Sequence, residues 1–122
     1  MATVLFIEDE PTLQKALGDL LESEGFKVIS AMDGAKGVEL AKEKGADLIL
    51  LDLVLPKKHG LEVLQELKEG ENTKDIPVIV LTNVEELEDI DKAIKLGART
   101  YLVKTDFTLK EVFEKVKEAI AE

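Results

Sequence analysis

Five short apolar runs, separated by stretches of helical length, restrict this chain to one kind of architecture. They are Val4–Ile7, Val28–Ile29, Leu48–Leu51, Val78–Leu81 and Tyr101–Val103. Continuous apolar runs of this length, alternating with amphipathic segments, are the pattern of buried parallel strands in repeated βα units. Parallel strands of an open sheet carry their ligand site at their carboxyl ends. Four of the runs end at a chemically useful group: the first at Glu8 and Asp9, the third at Asp52, the fourth at Thr82 and the fifth at Lys104. The run around Val28–Ile29 has no such ending. An acidic pair, a lone aspartate, a hydroxyl and an amine are therefore expected along one edge of one sheet.

The spacing predicts strands near 3–8, 27–31, 47–52, 77–82 and 100–104, and helices near 11–24, 34–44, 60–69, 84–96 and 108–121. Pro11 suits a first helical turn, where its missing N–H would be unpaired anyway. Leu13, Ala16, Leu17, Leu20 and Leu21 follow as an apolar stripe. Gly25, Gly45 and Gly97 fall where helices need a left-handed stop. Asn83 with Glu86, and Thr108 with Glu111, have the spacing of capping boxes before the last two helices. Gly70–Asp75 is the most polar loop. One doubly wound five-stranded α/β domain, residues 1–122, accounts for the whole chain.

A chain of 122 residues suits a single core. No apolar run approaches the roughly 18 residues of a membrane span. Met1-Ala2-Thr3 leads straight into the first strand, so no signal peptide is expected and a cytoplasmic location is the default. The absence of cysteine excludes a disulfide framework and a thiolate metal site. The 26 acidic against 16 basic residues give a net charge of −10, which repels a phosphate backbone and argues against direct nucleic-acid binding.

Glu8, Asp9 and Glu10 occupy the loop where phosphate-binding folds place glycines. Three carboxylates there repel a bare phosphate but suit magnesium, a hard cation held by carboxylates, waters and phosphoryl oxygen. Acids also favour a helix N-terminus, so this cluster alone decides little. Asp52 decides more, because it ends a wholly apolar strand, LILLD, where an acid has no structural purpose. Lys104 supplies positive charge and Thr82 a hydrogen-bond donor, and both are expected at the solvent-accessible edge of the sheet. Nucleophilic carboxylate, metal ligands, hydroxyl and cation together are the parts for phosphoryl transfer to an aspartate.

These residues resemble the receiver domain of two-component response regulators, and the resemblance covers essentially the whole chain. It rests on Glu8-Asp9, on LILLDLVLPKKHG with Asp52, Pro56 and Gly60, on VIVLTN, and on GARTYLVK with Tyr101 and Lys104. The resemblance implies a flavodoxin-like sheet of strand order 2-1-3-4-5 with five helices. By it, Asp52 is the phosphoacceptor for a sensor histidine kinase or phosphotransfer protein. Mg2+ is held by Asp9, by Glu8 partly through water, by Asp52 and by the Val54 carbonyl. Thr82 and Lys104 bind phosphoryl oxygens, and Tyr101 follows them by changing rotamer. Pro56 and Gly60 shape the loop after the acceptor, and His59 is a surface loop residue.

Three positions depart from the family's usual pattern. Thr105 stands where a proline commonly follows the lysine, Asn83 where a small residue commonly follows the hydroxyl, and Arg99-Thr100 where DNA-binding members carry an acidic pair. The reading is a phosphorylation switch, not an enzyme with a released product. Its output is a changed surface on the fourth helix, fifth strand and fifth helix, including Asn83, Glu86, Asp89, Lys92, Arg99 and Tyr101. A downstream protein is the expected partner, and a monomer or weak dimer the expected state. The alternatives are a phosphorylation-independent scaffold and a phosphatase of the haloacid dehalogenase type. The latter wants an acid two residues after its nucleophile, where this chain has Val54.

Overall fold

A computed structural model describes residues 2–121. Five parallel strands, β1 (Thr3–Ile7), β2 (Lys27–Ala31), β3 (Leu48–Leu51), β4 (Val78–Thr82) and β5 (Thr100–Val103), form one sheet in the order β2-β1-β3-β4-β5. The helices are α1 (Pro11–Ser23), α2 (Gly34–Lys44), α3 (Gly60–Glu69), α4 (Leu87–Leu96) and α5 (Leu109–Ala121). The expected doubly wound fold and strand order are present. None of the helices is long and apolar enough to cross a membrane.

Because successive strand residues face opposite ways, each apolar run feeds two cores. Val4, Phe6, Leu48, Leu50, Ile79, Leu81 and Leu102 pack against Leu17 and Leu21 of α1 and Val112, Phe113 and Val116 of α5. Leu5, Ile7, Ile49, Leu51, Val78 and Val80 pack on the other face against Val38, Val63, Leu64, Leu67 and Ala93 of α2, α3 and α4. The inner strands β1, β3 and β4 read as nearly continuous apolar runs because neither of their faces meets water, whereas edge strand β2 is partly exposed.

Most helix signals perform as the sequence predicts. Pro11 opens α1. The Thr108 hydroxyl accepts from the Glu111 amide while the Glu111 carboxylate accepts from the Thr108 amide, closing a reciprocal capping box. Gly25 and Gly97, at φ +98° and +111°, end α1 and α4 with paired reverse bonds such as Phe26 N–H to Leu21 O. The seam of α1 runs through Gln14, Leu17, Gly18 and Leu21; of the expected stripe Leu17 and Leu21 are buried, Leu13 and Leu20 pack at its margin, and Ala16 alone is exposed.

The fourth helix departs further. It begins at Leu87, three residues later than expected, and Asn83 caps nothing. The Val84 amide donates to Thr82 Oγ1 and the Val84 carbonyl accepts from the Tyr101 hydroxyl. Backbone groups that would start a helix are thus held by side chains. Beyond β5, a single 3-10 turn, Lys104–Asp106, precedes α5.

His59, exposed as expected, also caps α3 through its Nδ1, which accepts from the Leu61 amide. Gly60 lets α3 start directly against the end of β3: a Cβ there would lie 2.3 Å from Leu53 Cα and 2.4 Å from the Asp52 carbonyl oxygen. Both are backbone atoms and have little room to give. Gly60→Ala should therefore lower stability by about 1–3 kcal/mol, the usual range for overpacking. Urea unfolding with an unchanged slope checks this, and a loss below about 0.5 kcal/mol would mean that α3 slides without hindrance.

Candidate functional site

Strand register assembles the site. Ile7 pairs with Leu51, and the Asp52 amide donates to the Ile7 carbonyl over 3.0 Å, so Glu8 and Asp52 leave the sheet side by side. Glu8, Asp52 and Lys104 each come two residues after Phe6, Leu50 and Leu102, in the row facing α1 and α5. Thr82 continues the other row, after Val78 and Val80, and Tyr101 pairs with Val80 on the neighbouring strand. Two alternating rows thus deliver the charged groups and the Thr82 hydroxyl to one edge from opposite faces, with Tyr101 on the strand beside Thr82.

There, Lys104 Nζ lies 3.1 Å from Asp52 Oδ2 and 2.7 Å from Glu8 Oε1. The first contact is a hydrogen bond. The second is the shorter charge contact, and the Lys104 ammonium is the partner that Glu8 Oε1 faces. Glu8 Oε2 accepts from the Glu10 amide, and Asp52 Oδ1 from the Val54 amide over 3.3 Å. Carboxylate oxygens of Glu8, Asp9 and Asp52 all lie within 4.8 Å of one another. A cleft of about 240 Å3, lined by Glu8, Asp9, Glu10, Asp52, Val54, Thr82, Asn83 and Lys104, opens over them.

Burial divides these groups. Glu8 and Asp52 are buried, Asp9 is exposed, and the Lys104 side chain is 14 % exposed beneath the cleft. Thr82 is fully buried at 0 % exposure, and this corrects its expected place at the solvent edge. The Val84 amide, in the uncoiled segment before α4, donates to its Oγ1. Desolvation raises the Glu8 carboxyl above its ordinary pKa despite Lys104, and the Asp52 charge pushes the same way. Desolvation lowers the Lys104 ammonium, but its contacts with Glu8 and Asp52 outweigh that and hold it above its ordinary value. Lys104 is therefore a fixed positive charge between two carboxylates.

These groups fit a hard divalent cation. The ligand atoms on offer are all carboxylate oxygens, and three carboxylates face one ammonium. Every site residue expected from the sequence reaches this edge except Tyr101, which stands one step away. Its hydroxyl donates to the Val84 carbonyl over 2.7 Å. Sequence reasoning missed two groups: the Val84 backbone, which joins Thr82 to Tyr101, and Gln14. The signal for Gln14 was an amide three residues before Leu17 on the buried seam of α1.

Parallel sheet, acid-lined cleft and half-buried lysine define a doubly wound domain with a charged site at its strand ends. A family model for the response regulator receiver domain matches residues 4–117, and the chain belongs to that family. It is 39% identical over 117 residues to the DNA-binding dual master transcriptional regulator RpaA of Synechocystis, covering 96% of this chain and 48% of that protein. It is 36% identical to protein PilH of Pseudomonas aeruginosa, covering 85% of this chain and 86% of PilH. The chain spans about half the length of several curated relatives that it matches. Among solved structures, the receiver domain of a sensor histidine kinase from Pseudomonas aeruginosa superimposes with TM-score 0.89 at 29% identity, over 99% of this chain and 98% of that one. That receiver has a magnesium ion coordinated in its active site cleft.

Tyr101 reports on this edge without interference, being the one tyrosine of a chain with no tryptophan. Burial, followed by the charges of Asp89, Glu86 and Asp52, pushes its hydroxyl from 10.0 up to about 12. A folded pKa above the unfolded one gives stability that is complete below the unfolded value and lost as pH rises through the folded one. Tyrosinate absorbance should therefore titrate near 12, and Tyr101→Phe should flatten the decline in stability between pH 10 and 12. A midpoint at the ordinary value would place the hydroxyl in water instead of on Val84.

Proposed function

We propose that this domain is a phosphorylation-dependent switch whose phosphoacceptor is Asp52. The observation that carries the reading is the buried Asp52 carboxylate, held by Lys104 at the floor of a cleft rimmed by two more acids. A sensor kinase phosphohistidine or a phosphotransfer protein is the donor. An Asp52 carboxylate oxygen attacks phosphorus, the P–N bond breaks, and the electron pair leaves with the imidazole. Lys104 and the Thr82 hydroxyl stabilise the oxygens of the transferred group, the lysine by charge and the threonine by donating its proton.

Asp9, Glu8, Asp52 and the Val54 carbonyl are the groups that would hold Mg2+. When bound, the ion offsets negative charge between the acidic edge and an anionic donor. The magnesium in the similar receiver's cleft supports this reading. The haloacid dehalogenase alternative lacks its acid, since the residue two beyond Asp52 is Val54, whose side chain has no proton to give.

The output runs through Val84. With a phosphoryl group on Asp52, Thr82 Oγ1 turns to it, and the Val84 amide loses its present acceptor. The Val84 carbonyl is the anchor of Tyr101, so the β4–α4 loop, α4 and β5 respond together. This is a population shift between two arrangements, biased by contacts made only with the phosphoryl group. Through the surface of α4, β5 and α5 a downstream protein is engaged in the cytoplasm, without direct contact to nucleic acid or membrane. A monomer or weak dimer suffices for this.

A small phosphodonor with Mg2+ should add one phosphoryl mass to the protein, read by intact mass spectrometry. Asp52→Asn, or a chelator, should remove the addition. Labelling that persists in Asp52→Asn would place the acceptor elsewhere and sink the proposal. A beryllium fluoride mimic with Mg2+ should also move the amide resonances of Val84, Tyr101 and α4. Shifts confined to Asp9, Asp52 and Lys104 would favour the scaffold reading.

A further inference from the structure

We infer that Gln14 is a positioning residue for the acidic edge, fixing the peptide that aims Asp9 and thereby setting the site's affinity for a divalent cation; the inference rests on the reading of Glu8, Asp9 and Asp52 as the cation site. Gln14 lies on the buried seam of α1 with only 8 % of its surface exposed. Its Nε2 donates to the carbonyls of Phe6, Glu8 and Ala31 over 2.9, 3.1 and 3.2 Å. Two amide protons thus serve three acceptors, one of them shared. These carbonyls mark the ends of β1 and β2, where both strands give way to loops.

The bond to the Glu8 carbonyl is the consequential one. That carbonyl belongs to the peptide plane joining Glu8 to Asp9, and holding it fixes the rotation about Glu8 ψ and limits Asp9 φ. The other side of Glu8 is already tied, since its amide donates to the Ala31 carbonyl over 2.9 Å. Asp9 itself is exposed, and its carboxylate has no hydrogen bond among the described residues. The backbone sets where its Cα–Cβ bond points, and Gln14 holds that backbone at the Glu8 carbonyl.

Gln14 also carries a burden that packing does not explain. Its Oε1 is buried without a hydrogen-bond partner among the described residues. A methionine fills similar volume without an orphaned acceptor, so shape and burial alone would not select an amide here. What methionine lacks is the donor for three converging carbonyls. Groups that orient metal ligands from behind have this chemistry: they touch no metal, yet they set the angle at which the ligand meets it.

The test compares the unmodified chain, Gln14→Met and Asp9→Asn by Mg2+ calorimetry and by thermal unfolding with and without Mg2+. Gln14→Met should bind Mg2+ roughly tenfold or more weakly, as expected for loss of a group supporting a metal ligand. Its metal-free unfolding temperature should fall by a few degrees, because three carbonyls lose their donor, and the inference is read from the rise produced by Mg2+, which should shrink as well. A merely structural role would lower the metal-free temperature and leave that rise intact, which would overturn the inference. So would Mg2+ affinity in Gln14→Met within twofold of the unmodified chain while Asp9→Asn loses binding. Failure of the unmodified chain to bind Mg2+, or full binding by Asp9→Asn, would overturn the cation reading and the inference together. Should Gln14→Met fail to fold, the unmodified chain decides: its Gln14 side-chain NH2 resonances should shift with the same Mg2+ midpoint as the Asp9 amide, and unmoved resonances would overturn the role.

Discussion

One ammonium placed between two carboxylates, with a third carboxylate close by, is the interaction on which the rest of this domain depends. Glu8, Asp9 and Asp52 against Lys104 leave an excess of two negative charges in a cleft whose floor is buried. At low effective dielectric such an imbalance is felt strongly, which is why desolvation pushes Glu8 toward its neutral form while Lys104 stays charged. Such a balance fits a divalent cation, and in the proposed function that cation would make the cleft receptive to an anionic donor that the bare acids would repel. The lysine keeps one side of Asp52 engaged and leaves the other toward the cleft, where Oδ1 accepts only the long bond from the Val54 amide.

The connection from this charge cluster to the surface is short and made of hydrogen bonds. Thr82 Oγ1 accepts from the Val84 amide, and the Val84 carbonyl accepts from the Tyr101 hydroxyl. A single residue thus ties a fully buried hydroxyl to a half-buried ring. Helix α4, which follows, is lightly anchored: Ala93 is its one buried residue, and Leu87 at its start is 82 % exposed. Segments with few buried apolar contacts open and shift at small free-energy cost. The proposed output therefore uses the helix with least to lose, next to the residue that senses the site.

The opposite half of the edge is rigid. Helix α3 starts against the backbone of Asp52 and Leu53 because Gly60 carries no side chain, and its first amides are held by His59 and Leu53. Helix α1 is pinned to the ends of β1 and β2 through Gln14. Both cores behind these helices are closely filled by residues of alternating strand rows. Asp52 and the acids after β1 thus stand beside the firmly held α1 and α3, while Thr82 and Tyr101 stand beside the lightly anchored α4.

The sequence by itself determined the doubly wound fold and the residues gathered at the strand ends, the strand order following from the resemblance that its motifs carry. Those depend on short-range signals: apolar runs, a proline at a helix start, glycines at helix ends, and the rule that parallel strands present their carboxyl ends together. It left undecided where α4 begins, since a capping-box spacing at Asn83 and Glu86 looks the same whether or not the backbone between them is free. Tyr101, seventeen residues beyond Val84, took the carbonyl that local helix formation needed. It also misplaced Thr82 at the solvent edge and gave Gln14 no role, because burial depends on what other elements lay over a residue. Packing of α1 onto β1 and β2, and of the segment before α4 against Thr82, decided both. Local propensities are written residue by residue along the chain, whereas these long-range hydrogen bonds come into being only once the sheet has brought its strands together.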